Sequence, residues 1–156
     1  AIDRITDKDS RLVYKYSLKR QAVLSRKHAA IMADMLRAVI LEGTGRKASV
    51  IKRDIAGKPG TTDDYKDALF IGFSPDFALG VWVGNDDNTT LGRLETGAKA
   101  ALPIWTDVMQ YHLSGRAVHY FDIPDGLEMV YMDSANGKIQ RQAAPGMVKA
   151  LVKQEE

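Results

Sequence analysis

The chain has 156 residues, 45% of them apolar, and 22 basic against 20 acidic side chains give a formal charge of +2. That length suits one domain with a sizeable core, and basic residues scattered among acidic ones give no basis for nucleic-acid binding. With no cysteine there is no disulfide framework or thiol chemistry; no apolar run approaches the ~20 residues of a membrane span, and no signal peptide opens the chain.

Residues 1–10 are polar and read as a loose entry. Residues 11–16 alternate enough for a short exposed strand. Ser25 is a suitable N-cap for a helix running to about Glu42, in which Ile31, Met35 and Val39, flanked by Met32, Leu36 and Ile40, recur at three and four and share one face. Gly43 ends it. Residues 50–56 carry β-branched side chains and predict a strand over 50–58, followed by a glycine-bearing turn. Residues 67–73 are almost wholly apolar and predict a buried strand, and 77–84 a third, joined to it by Ser74-Pro75-Asp76. Connections this short make the three strands an antiparallel meander.

Over 98–113 the apolar residues Ala101, Ile104, Trp105, Val108 and Met109 recur at helical spacing, with Pro103 near the first turn, where its missing N–H costs little. This helix is expected across one face of the meander, with Trp105 in the core. Beyond Gly115 the pattern weakens: 127–132 and 138–140 predict a hairpin, and 143–156 a tail. There is no internal repeat and no low-complexity linker.

The best candidate for chemistry is Gly57-Lys58-Pro59-Gly60-Thr61-Thr62. A lysine beside glycine and two hydroxyls presents a cation, hydroxyl donors and an uncovered backbone N–H, a set suited to an anionic or carbonyl-bearing ligand and to acyl transfer. Alone, the same six residues also fit a hairpin with a surface lysine. No metal site or cofactor is expected: His28 lies in the first helical turn and reads as a solvated surface residue, and neither His112 nor His119 has a second ligand at metal spacing. Asn85-Asp86-Asp87-Asn88 lacks the glycine and terminal glutamate of a calcium loop and reads as a polar turn.

The motif, with Asp64-Tyr65-Lys66-Asp67-Ala68-Leu69-Phe70-Ile71-Gly72-Phe73-Ser74-Pro75-Asp76 and Gly80-Val81-Trp82-Val83-Gly84-Asn85-Asp86-Asp87-Asn88, resembles the C-terminal part of the transpeptidase domain of a class A penicillin-binding protein. Glu42-Gly43-Thr44-Gly45-Arg46 upstream and Glu95-Thr96-Gly97-Ala98-Lys99-Ala100-Ala101-Leu102-Pro103-Ile104-Trp105 downstream fit the same family in the same order. The resemblance runs from about Val23 to Leu113. It implies an α/β (α+β) fold of the β-lactamase/transpeptidase type, an antiparallel sheet with helices packed on its faces, of which residues 1–115 are the C-terminal part and 116–156 an appended hairpin and tail.

The family uses Ser-x-x-Lys, Ser-x-Asn and Lys-Thr-Gly, and Lys58-Pro59-Gly60 stands in the third place, with proline where the family has threonine or serine. The first two belong well upstream, yet only 57 residues precede Lys58. The resemblance therefore implies a fragment without the nucleophile, inactive by itself. Ser49-Val50-Ile51-Lys52 matches the first motif by letters but is expected to run into a strand, and Ser134-Ala135-Asn136 matches the second but carries turn chemistry.

By resemblance, Lys58 and Thr61 are catalytic and Gly60, Thr61 and Thr62 bind substrate. Lys58 holds the missing serines and their protons, Thr61 N–H forms half the oxyanion hole, and the Thr61 hydroxyl meets a carboxylate. The implied partners are a peptidoglycan stem peptide ending in D-Ala-D-Ala, β-lactams, and the missing N-terminal part, which would carry an anchor holding the protein outside the cytoplasm. A fragment of a serine β-lactamase or D,D-carboxypeptidase, and a noncatalytic module binding cell-wall peptide, are the alternatives; the blocks around Trp82 and Glu95-Thr96-Gly97 argue against the enzymatic ones.

Overall fold

The computed structural model describes residues 2–17 and 21–154. At its start β1 (Arg4–Thr6) pairs with β2 (Leu12–Lys15) in an exposed hairpin. The polar stretch read as a loose entry thus contains a strand. Its signal is only three residues long, and the turn rests on the Asp7 carboxylate, whose Oδ1 accepts the N–H of Asp9 and of Arg11 at 2.9 Å each.

Helix α1 (Arg26–Leu41) starts where expected: Ser25 Oγ accepts His28 N–H at 3.2 Å. Of its expected apolar face Ile31, Leu36 and Val39 are half-buried, but the two methionines are not. Met32 and Met35 are exposed, and Ile40 is its buried residue, so the sheltered side takes in half-buried Ala30, Ala33, Asp34 and Arg37.

The strand predicted to begin at residue 50 does not. Arg46–Ile51 form a 3-10 turn that seats Ala48 in the core and ends at Lys52 in the left-handed region (φ 54°). Gly45 N–H reaches back six residues to Val39 O and closes the end of α1, and Ala48 N–H bonds Gly45 O to open the 3-10 turn. Burying Ala48 outweighs the strand preference of Val50-Ile51.

The strand is instead β3 (Ala56–Thr61), which runs through the motif first read as a turn. It pairs antiparallel with β4 (Asp67–Phe73), which pairs with β5 (Ala78–Gly84), giving the expected meander in the order β3-β4-β5. The real turn lies at 62–66, where Thr62 Oγ1 donates to Asp67 Oδ2 and accepts Asp67 N–H.

A π turn over Gly97–Ala101 leads into helix α2 (Leu102–Leu113), which covers one face of this sheet. Trp105 is fully buried, packs edge-on to Phe70 at 4.9 Å and donates its indole N–H to Leu79 O at 2.9 Å. A Cβ on Gly72 would stand 2.6 Å from the Trp105 ring, so glycine there lets the helix settle on the strand. Ile104 and Val108, counted into the apolar face, point outward; Leu102, Trp105, Met109 and Leu113 face the sheet and join Ile40, Ala48, Ile55, Phe70 and Ala101 in the core.

A second sheet, order β7-β6-β8, is built from β6 (Leu127–Asp133), β7 (Ile139–Gln140) and β8 (Met147–Lys153). The hairpin was expected; β8 was read as tail, yet it pairs with β6 along its length, from Leu127↔Lys153 to Asp133↔Met147. One polar contact ties this sheet directly to α1, where Asp34 Oδ2 accepts Leu151 N–H at 2.9 Å. The segment leading into it is held by Asp54, whose Oδ2 accepts Phe121 N–H and whose Oδ1 meets Arg37 Nε at 2.6 Å.

Candidate functional site

The hydrogen-bond phase of β3 decides what its motif presents. Thr62 N–H donates to Asp67 O at 3.1 Å, one step beyond the register pair Thr61↔Ala68. Antiparallel pairs alternate. Gly60 and Lys58 therefore bond across to β4, whereas Thr61 and Pro59 turn their backbone nitrogens to the other side. Among the described residues β3 pairs with β4 alone, so that side is an open edge. Pro59 sits where its missing N–H takes no bond from the ladder, and Thr61 offers a free N–H.

Side chains alternate as well. Gly72 and Phe70 meet Trp105, so their register partners Gly57 and Pro59, and Thr61 in phase with them, belong to the α2 face. Lys58 and Gly60 belong to the opposite face, in register with Ile71 and Leu69 and, beyond them, Gly80 and Trp82. That face is largely uncovered: Ile71 is 61% and Trp82 55% exposed. The Trp82 indole N–H donates to Asp67 Oδ1 at 2.8 Å, which ties it to the turn beside the motif.

Lys58 is exposed, and its Nζ donates to Pro59 O at 3.1 Å, so the ammonium folds over the open edge. Gly60 is half-buried. Thr61 is exposed, and its Oγ1 accepts Gly97 N–H at 3.0 Å. The Thr62 hydroxyl is engaged in the turn with Asp67. An extended peptide laid along this edge would find the Thr61 N–H, the ammonium on one side and the Thr61 hydroxyl on the other, the geometry of strand addition. A separate cavity of about 280 Å³, lined by Arg37, Arg53, Asp54 and Tyr120 among others, includes none of these four residues.

The residues set aside by sequence are placed as follows. Ser49 stands late in its 3-10 turn, and Lys52 N–H bonds Ser49 O; it does not open a helix, although the reason is a turn and not the strand expected. Ser134-Ala135-Asn136 lies in the β6–β7 turn, gathered by the Asp133 carboxylate and closed by Gly137 at φ 73°. His28 Nδ1 lies 3.0 Å from Ser25 Oγ, His112 stacks on Phe77, and His119 Nδ1 pairs with Asp76. No metal-holding group of three such side chains occurs among the described residues. In the polar turn, the hydroxyl and then the N–H of Thr89 hold Asp87 below the usual carboxylate pKa.

One contact escaped sequence reasoning: Gly97 N–H on Thr61. Glu95-Thr96-Gly97 was noted as a block of resemblance, but nothing in its letters says that it reaches back 36 residues to β3.

Comparison with known proteins adds the following. No family model matches. Penicillin-binding protein 1A of Aquifex aeolicus is 38% identical over 152 residues, 97% of this chain and 21% of that protein. Its namesake in Pseudomonas aeruginosa is 39% identical over 137 residues, 87% of this chain and 17% of that protein. The crystal structure of penicillin-binding protein 1A from Haemophilus influenzae superposes with a TM-score of 0.73 at 25% identity, covering 96% of this chain and 28% of that one. The chain thus spans about a fifth of the length of the curated relatives it matches.

Proposed function

The chain belongs with the class A penicillin-binding proteins, as a segment of the 1A type, and we propose that it is the C-terminal portion of a serine D,D-transpeptidase domain, supplying one wall of a catalytic cleft. Residues 1–115 belong to that wall and 116–156 to an appended unit. The observation that carries the reading is the phase of β3, which among the described residues leaves Thr61 N–H unpaired on the same open edge that the Lys58 ammonium overhangs.

In this proposal the nucleophilic serine and the Ser-x-Asn motif lie on polypeptide upstream. The serine hydroxyl attacks the penultimate D-Ala carbonyl of a stem peptide, or the lactam carbonyl of a penicillin, and the resulting oxyanion is held by the serine's own N–H and by Thr61 N–H. Lys58 adds positive potential that keeps the neighbouring serines and their protons in place and favours the ligand carboxylate. Gly60 lets the peptide backbone come close to the strand, and the Thr61 hydroxyl meets the terminal carboxylate, while the Thr62 hydroxyl, whose proton goes to Asp67 Oδ2, holds the adjoining turn instead of the ligand. No cofactor enters. Such a protein works outside the cytoplasm, held at the membrane by upstream sequence; among the described residues no helix is long and apolar enough to cross a membrane.

The test is Lys58→Ala in the protein joined to its upstream segment. Acylation by a penicillin is expected to slow by about 10²-fold or more, with the melting temperature unchanged because the side chain is exposed. An unchanged acylation rate would remove Lys58 from the chemistry.

A further inference from the structure

We propose that Gly97 is a positioning residue for Thr61, a role that rests on the assignment of the Thr61 hydroxyl to a ligand carboxylate. Three observations meet at this point. Gly97 N–H donates to Thr61 Oγ1 at 3.0 Å. Gly97 is buried against the sheet, and a Cβ on it would collide with the backbone oxygens of Leu69 and Gly60, the ladder pair next to Thr61. Its loop is itself tied down, with Glu95 N–H on Gly92 O, Thr96 N–H on Leu94 O, and both Lys99 and Ala100 N–H on Thr96 O.

The consequence is chemical. A threonine hydroxyl has one proton to give and two lone pairs to accept with. Once the Gly97 N–H occupies a lone pair, the side-chain rotamer is fixed and the O–H is polarised into a better donor. The proton is then what this side chain offers a ligand, so the position selects an acceptor, and a carboxylate before a neutral group. The absence of a side chain at 97 is what lets the donor approach. Glu95-Thr96-Gly97 thereby acquires a function: it sets the hydroxyl of a residue on another element without touching the ligand.

Two measurements decide this. Amide exchange at Gly97, read in the chain itself, is expected to accelerate by about tenfold in Thr61→Val, which has no acceptor, and to stay within about twofold in Thr61→Ser. Unchanged exchange in Thr61→Val overturns the hydrogen bond. In the protein joined to its upstream segment, acylation by benzylpenicillin is then compared with acylation by its methyl ester. Thr61→Val and Gly97→Ala should each lose about tenfold toward the acid and about twofold or less toward the ester, and the double variant should lose no more than Thr61→Val alone. Equal losses toward both compounds, or additive losses, overturn the positioning role. If Gly97→Ala does not fold, Thr61→Ser decides: a retained preference for the acid with unchanged exchange supports the role, and a lost preference with unchanged exchange overturns it. If Thr61→Val acylates as fast as the parent, the carboxylate assignment itself fails, an outcome that the exchange result keeps separate.

Discussion

At Pro59 the sequence departs from the family's threonine or serine, and the structure says what that departure costs. The backbone loses nothing, because position 59 is out of phase with the β4 ladder. The side chain does lose something: position 59 belongs to the same face as Thr61, so a threonine there would add a second hydroxyl next to the proposed carboxylate site. A hydrogen bond to a charged group contributes about 1.5–3 kcal/mol. Pro59→Thr is therefore expected to raise the rate of penicillin acylation by roughly ten- to a hundredfold; stopped-flow rates equal to the parent's would contradict this. Residue types and order mark Lys58, Gly60 and Thr61 as candidates, since a cation, a glycine and a hydroxyl keep their chemistry wherever the chain puts them, and the proposed roles rest on where β3 holds them. The Gly97 contact was not legible, because a backbone N–H has no letter of its own.

Among elements, the long periodic ones could be read and the short or long-range ones could not. Helix α1 begins at the capping residue Ser25, and β4 and β5 fall within a residue of expectation. The start of β3 was misplaced because Val50-Ile51 carries a strand preference that the burial of Ala48 overrides. Strand β8 was missed because its partner β6 lies across a connection that local pattern does not describe. Its outer side is held by one carboxylate. Leu151 N–H lies out of phase with the β6 ladder, since Gln154 N–H bonds Gly126 O three residues on, and it is taken by Asp34 of α1. Asp34→Ala leaves that donor without its partner, at a cost of about 1–3 kcal/mol. The expected outcome is faster amide exchange across 147–153 with the β3–β5 sheet unaffected; uniform exchange changes in both sheets would argue against a local role.

For the whole molecule, the two sides of the central sheet differ. One lies under α2; the other exposes Ile71 and Trp82, and β5 has no partner beyond β4 among the described residues. An apolar face beside an unpaired strand is prone to association, so the chain alone is expected to elute larger than a monomer in size-exclusion chromatography and to become monomeric when joined to its upstream segment. A monomer in both cases would mean that the face needs no cover. The central claim, that this edge is half of a penicillin-reactive cleft whose nucleophile lies elsewhere in the polypeptide, is tested most directly with a fluorescent penicillin. The account predicts no covalent label on the chain alone and a stable label once the upstream segment is joined, sharply reduced in Lys58→Ala; covalent labelling of the chain alone, or equal labelling of Lys58→Ala and the parent, would contradict it.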